Sequence, residues 1–216
     1  MTTVFIAGSI SINRLNAMVQ ERICNIVSSN FNVVVGDADG ADSAIQACLR
    51  DCQAGNVTVY CTGDAPRNNI GDWPVRRVCS EAKVGSRAYF TAKDLEMARC
   101  SDYGLMIWDC KSTGTLSNII ELLRAGKKSV VFINKDKVFV TVSDISRLEH
   151  LLTLMSPNAR AKAEAKIGLT SKIAGIANEE LSLDFFETSE PAARSDEQTK
   201  IESFNKNAAQ TESMKL

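Results

Sequence analysis

No stretch of this sequence is apolar for long enough to cross a bilayer. The longest runs, such as Ser129 to Asn134, are strand-sized, against the ~18 residues that a spanning helix needs. No charge of one sign dominates. Lysine plus arginine number 25 against 26 for aspartate plus glutamate, a formal net charge of −1, so no global positive field exists to hold a polyanion. Nucleic acid is therefore not expected as a partner, although local basic patches stay open. The opening Met1-Thr-Thr-Val-Phe-Ile-Ala-Gly8 lacks a basic n-region and is too short in apolar residues for a secretory signal, so a cytoplasmic location without membrane attachment is expected. No CxxC pair occurs. Seven cysteines, Cys24, Cys48, Cys52, Cys61, Cys79, Cys100 and Cys110, are odd in number, which argues against a disulfide framework and against a zinc ribbon. Most are expected to be reduced and partly buried. Cys48 and Cys52 share a face of a predicted helix, but with His150 as the one, remote imidazole they make a poor metal site. Neither a metal nor a cofactor is expected.

What is present is ordinary globular composition. With 216 residues, 44% hydrophobic and 24% charged, the chain has enough apolar surface for one domain, which excludes a stapled miniprotein and a wholly disordered chain. Thr3 to Ala7 and Phe31 to Val35 are β-branched runs stopped by Gly8-Ser9 and Gly36-Asp37; both read as buried strands. Between them Leu15, Met18, Val19, Ile23 and Ile26 recur at helical steps. A helix after Gly40, a strand over 57–61, a helix over 92–99, strands over 103–108 and 129–133 and a helix over 116–125 continue the alternation, with an added edge strand over 138–142 and a closing helix over 142–154. Nearly continuous apolar strands alternating with helices predict an α/β, Rossmann-like, doubly wound and mostly parallel sheet of five or six strands. The expected division is a nucleotide-binding domain over 1–155, a helical extension over 156–187 and a disordered tail over 188–216, where apolar residues thin out.

In such sheets ligands sit beyond the carboxyl ends of the strands, and four stretches fall there. Gly8-Ser9 ends the first strand, where a glycine permits close backbone approach to a phosphate. Gly36-Asp-Ala-Asp39-Gly40-Ala-Asp42 flanks three carboxylates with two glycines ahead of a helix; Asp39 or Asp42 suits ribose hydroxyls, or caps the helix. After the third strand, Arg67 offers a bidentate clamp for phosphate, while Trp73 either covers a base or seals the core's edge. Asp109-Cys-Lys-Ser112-Thr-Gly114-Thr115-Leu-Ser-Asn118-Ile-Ile-Glu121 opens an amphipathic helix with several N–H and O–H donors, a phosphate site on physical grounds unless Thr115 only caps the helix. Arg76, Arg77, Lys83 and Arg87 form the one concentrated basic segment of the core, for which a solvated helix face is the simpler reading.

The Gly36–Asp42 motif together with Ser112–Asn118 resembles the SLOG superfamily of Rossmann-like nucleotide-binding proteins, over about residues 3 to 134. That group includes cytokinin-activating phosphoribohydrolases, DNA-processing proteins of natural transformation and sensor domains for NAD-derived nucleotides. The phosphoribohydrolases carry Pro-Gly-Gly-x-Gly-Thr-x-x-Glu. Here Gly114 and Thr115 match its Gly-Thr, the Pro-Gly-Gly is missing, and Asn118 stands at the glutamate position, where an amide cannot serve as base or nucleophile. Gly8-Ser9-Ile10 and Asp94 also resemble nucleoside deoxyribosyltransferases. The resemblance implies binding of a nucleotide or nucleotide-derived small molecule through Gly8, Ser9, Gly36, Asp39, Gly40, Asp42, Arg67, Ser112, Gly114, Thr115 and Asn118. The alternatives are an N-glycosidase or deoxyribosyltransferase acting on nucleoside 5′-monophosphates, with Asp94, Asp109 and Glu121 as candidate carboxylates, and a DNA- or protein-interaction module, with a homodimer open.

Overall fold

The computed structural model describes residues 1–188, with side chains described through residue 178. In chain order the elements are β1 (Thr3–Gly8), α1 (Ala17–Ser28), β2 (Asn32–Gly36), α2 (Ala41–Asp51), β3 (Val57–Thr62), β4 (Val75–Val78), α3 (Arg87–Cys100), β5 (Tyr103–Trp108), α4 (Thr113–Arg124), β6 (Ser129–Ile133), β7 (Val138–Val142), α5 (Ile145–Thr153), α6 (Pro157–Ile167) and α7 (Leu169–Thr188). The strands form one sheet of order β4-β3-β2-β1-β5-β6-β7. All neighbours pair in parallel except β6 with β7. The expected Rossmann-like, doubly wound sheet is therefore present.

Both faces are buried because side chains alternate along each strand. Val4, Ile6, Val33, Val35, Leu105 and Ile107 pack with Val19 and Ile23 of α1 and Ile45 and Leu49 of α2. Phe5, Ala7, Val34, Met106 and Trp108 face the other way, onto Met97 of α3, the Leu116–Ile119–Ile120–Leu123 stripe of α4 and Leu148, Leu151 and Leu152 of α5. Residues Met1–Ala177 form one compact unit. Ala159, Ala163, Leu169 and Ile176 place α6 and the start of α7 in its core. Asn178–Leu216 is a second unit, described beyond Asn178 only as the backbone of α7 to Thr188; residues 189–216 of the expected tail lie outside the described residues.

Two expectations need correction: the sheet has seven strands where five or six were expected, and the basic segment lies elsewhere. The basic segment is not a helix face: Arg76 and Arg77 lie on β4, an edge strand in parallel register with Tyr60 and Cys61 of β3. Four residues with two exposed arginines make a short, charged edge, which blunts pairing with other chains and leaves little apolar signature to read. Five of the seven cysteines are free, three of them buried, in line with the expectation that most are reduced. Cys24 of α1 and Cys52, the C-cap of α2, form a disulfide with Cα atoms 5.7 Å apart. The packing of α1 beside α2 brings together residues 28 apart in sequence, a relation that local spacing does not reveal. Among the described residues no helix is long and apolar enough to cross a membrane.

Candidate functional site

Strand order reverses between β1 and β5, whose neighbours continue in opposite directions across the sheet. The loops leaving their carboxyl ends diverge and leave a crevice. A cavity of about 580 Å³ occupies it, lined from β1 by Ala7, Gly8 and Ile10, from the approach to α2 by Ala38 and Asp42, and from α3 by Phe90, Thr91, Lys93 and Asp94; Arg67, Asp109, Lys111, the Ser112–Thr115 turn, Asn118, Lys162 and Lys166 complete it.

One wall is the β5–α4 loop. The Asp109 carboxylate accepts hydrogen bonds from the hydroxyls of Ser9 (3.1 Å) and Ser11 (2.7 Å) and from the N–H groups of Lys111 (2.9 Å) and Ser112 (2.6 Å). Burial opposes its charge, but these donors outweigh that cost and hold its carboxyl below the usual range. Asp109 is thus a brace that shapes the loop. Ser112 is the N-cap of α4 and its hydroxyl accepts from Thr115 N–H, while Arg87 anchors Thr113 through its hydroxyl (2.9 Å) and carbonyl (3.3 Å). The N–H groups of Thr113 and Gly114 have no intrahelical acceptor, as at any helix start. Above Gly114 there is open space: a Cβ there would meet only Ser112 Oγ, at 3.9 Å. One turn on, Asn118 is 7% exposed and lines the cavity, and its amide makes no hydrogen bond to a described residue.

The opposite wall is a buried charge cluster. Asp37, just past β2, takes a bidentate bond from Arg67 (2.8 and 3.1 Å) and a third from Arg67 N–H (3.0 Å). Burial works against the Asp37 carboxylate, yet Arg67 and Lys93 hold it below the usual range. Lys93 of α3 is itself buried and reaches Asp94 at 2.9 Å and Asp37 and Asp42 at 3.8 Å each. Burial disfavours its charge, but the surrounding Asp94, Asp42 and Asp37 carboxylates raise its affinity for the proton above the ordinary value. For Asp42, burial wins over Lys93, and its carboxyl is pushed up to about 6. Gly36 makes this contact possible, since a Cβ there would lie 2.3 Å from Asp42 Oδ2 and 2.5 Å from Lys93 Nζ.

The cavity also has an apolar side and a charged rim. Ile10 and Phe90 are exposed by 67% and 39% within the lining, and the Arg67 guanidinium stands 5.1 Å from the Phe90 ring centroid. Five cationic residues line the cavity, Arg67, Lys93, Lys111, Lys162 and Lys166, against three carboxylates, Asp42, Asp94 and Asp109. Asp37, behind the wall, pairs with Arg67 and Lys93, so the positive charge left over is that of the rim lysines Lys111, Lys162 and Lys166.

Of the residues singled out from sequence, Gly8, Asp42, Arg67, Asp94, Asp109, Ser112, Gly114, Thr115 and Asn118 meet at the cavity. Ser9 is fully buried behind it, its hydroxyl committed to Asp109 and beside Thr115. Gly36 and Gly40 support the wall without lining it. Asp39 is exposed outside the cavity and accepts from Asn68. Glu121 is placed elsewhere: one turn beyond Asn118, it lines a separate cavity of about 380 Å³ between α4 and α7 and pairs with Lys172. Trp73 seals the core, with its indole N–H donating to Ala54 carbonyl. Sequence reading assigned no role to Lys93, Phe90, Ile10, Lys111, Lys162 and Lys166. Lys93 left one signal, since it shares the buried stripe of α3 with Met97, four residues on, where a lysine is out of place unless paired.

No family model matches the chain, and no curated protein matches it. Among solved structures, DNA processing protein A from Helicobacter pylori, described for a single-stranded DNA binding mode, is similar at 15% identity and a TM-score of 0.44, over 60% of this chain and 64% of that one. The chain therefore spans less than two thirds of that structure. The likeness is one of fold. The expectation that nucleic acid is not a partner is corrected, because net charge does not describe the crevice, whose lining includes Lys111, Lys162 and Lys166; single-stranded DNA binding itself is described for that other protein alone. Overall charge is a poor ground for that exclusion when cationic side chains gather at one crevice.

Proposed function

We propose that the crevice binds a nucleotide or nucleotide-derived ligand, in the manner of the SLOG superfamily. The observation that carries this reading is a single one: the open first turn of α4 and the Asn118 amide face the same cavity, rimmed by lysines, at the switch point of the sheet. Phosphate suits the Thr113–Gly114–Thr115 turn, where the helix dipole and free N–H groups favour an anion. Phe90 and Ile10 offer an apolar face to the base. Asn118 supplies donor and acceptor together, as a ribose or base edge requires. Isothermal titration with AMP, dCMP, NAD, ADP-ribose and a short single-stranded oligonucleotide tests it. Binding of at least one mononucleotide or dinucleotide is expected, and heat from the oligonucleotide alone moves the reading to nucleic acid. Silence against the whole panel rejects it.

A second reading is cleavage of an N-glycosidic bond, and one placement favours it. Of the three candidate carboxylates, Asp109 is consumed by loop hydrogen bonds and Glu121 is outside the cavity, whereas Asp94 lines it with its charge held beside Lys93. A carboxylate so placed stabilises oxocarbenium character at the anomeric carbon or traps it covalently. Chromatography for released base, with Asp94→Ala as control, decides this. No product from any nucleoside 5′-monophosphate, or an unchanged rate in the variant, removes it.

A further inference from the structure

At the far end of α2 the structure collects three sulfur atoms that the nucleotide reading leaves unused. Cys24 of α1, Cys48 of α2 and Cys52 at the C-cap of α2 have Sγ atoms that all lie within 4.8 Å of one another. They are the one group of three ligating side chains this close among the described residues. Cys48 is buried, and Cys24 and Cys52 are half-buried, so the trio opens to solvent on one side. Asp42 and Cys52 are ten residues apart on one helix, about 15 Å along its axis at about 1.5 Å per residue, so the trio is separate from the crevice.

We propose that the reduced trio binds one thiophilic d10 metal ion in three-sulfur coordination, and that the Cys24–Cys52 disulfide is the form in which this site is closed. Three sulfurs around an ion at about 2.3 Å stand about 4 Å apart; all three atoms lie within 4.8 Å of one another, so once the Cys24–Cys52 bond is reduced those two sulfurs need only separate to that spacing. The chemistry of the set selects the ion: thiolates alone, with no imidazole or carboxylate in the group, favour soft ions and disfavour magnesium, calcium or manganese. Three ligands rather than four separate it from a closed structural zinc site. Opening the site needs a reductant. A phosphine takes oxygen from water and delivers two electrons and two protons to the Cys24–Cys52 bond, yielding phosphine oxide and two thiols; the entering ion then displaces thiol protons to solvent as the metal–sulfur bonds form.

The test uses the full chain, reduced with a phosphine, desalted without oxygen and titrated with Cd(II). An ultraviolet sulfur-to-cadmium charge-transfer band that saturates at one ion per chain is expected. It should weaken in Cys24→Ser, Cys48→Ser and Cys52→Ser, persist in the Cys79→Ser/Cys100→Ser double variant, and be absent from the oxidised protein. Independently of any variant, bound cadmium should protect these same three cysteines of the native sequence from alkylation, read by peptide mass spectrometry. The proposal is overturned by the absence of the band, by its survival at full strength without Cys48, or by alkylation of the trio at the metal-free rate.

Discussion

At the scale of single residues, the chemistry turns on Lys93 and the carboxylates around it. Burial pushes the Asp42 carboxyl up to about 6 in the folded protein, against 3.8 for a free aspartate, so between these values the folded state holds the proton more firmly than the unfolded one. This group therefore favours folding at low pH, and its contribution is lost as pH rises from about 4 to about 6. Relative to Asp42→Asn, the native protein is expected to lose up to about 3 kcal/mol of stability across that window, read as the difference between denaturant midpoints in a pH series; parallel curves would refute it. Asp37 and Asp109 are shifted downward, and their support is present above the unfolded pKa and lost as pH falls through the lower folded values, outside that window. Lys93→Met leaves buried carboxylates facing one another. A loss of about 3–5 kcal/mol at neutral pH is expected, smaller near pH 5, where Asp42 can take up a proton, and a loss independent of pH would mean that the lysine only fills space.

At the scale of elements, the start of α4 separates binding from stability. Gly114 lies inside the helix with room around it, so Gly114→Ala should leave the melting temperature equal or higher, by up to about 1 kcal/mol in stability. Its methyl group projects where phosphate is proposed to sit, and at least a tenfold loss of nucleotide affinity is expected by titration calorimetry. Unchanged affinity would move the phosphate away from this turn. The glycines before α2 behave oppositely. Gly40 has φ 77°, and a Cβ there would lie 2.1 Å from Ile10 carbonyl oxygen, so Gly40→Ala is expected to destabilise the fold by more than about 1 kcal/mol in thermal melts. The Gly36–Gly40 motif was legible in sequence as a site feature, but its two glycines shape the wall and do not themselves line the cavity. Only the packing of Ile10 and Lys93 shows that.

At the scale of the whole molecule, the disulfide and the charge distribution matter most. Closing a loop between Cys24 and Cys52 restricts the unfolded chain, which by loop-entropy arithmetic is worth about 3–4 kcal/mol. A drop of that order on reduction, measured by urea denaturation with and without a phosphine, is the expected outcome; indifference to the reductant would mean that the bond is not formed in solution. The rim lysines come from distant parts of the chain, Lys111 from the β5–α4 loop and Lys162 and Lys166 from α6. Replacing both Lys162 and Lys166 with Glu should weaken an anionic ligand several-fold at low salt and less at high salt, because exposed charges are screened.

The amino-acid sequence by itself determined the alternation of strands and helices, the parallel sheet and the loops that carry the site, since all three follow from local apolar periodicity and from where glycine and short polar residues interrupt it. It named most of the α4 turn for the same reason: a helix start is written in consecutive residues. It could not show β4, whose four residues leave no periodicity, or the bond between Cys24 and Cys52, whose partners belong to different helices. Only the tertiary structure places Asp94 in the cavity and Glu121, paired with Lys172, outside it. The buried Lys93 cluster and the cationic rim were decided by tertiary structure alone. Charge in a folded chain acts through distance and burial, and neither is a property of position along the sequence.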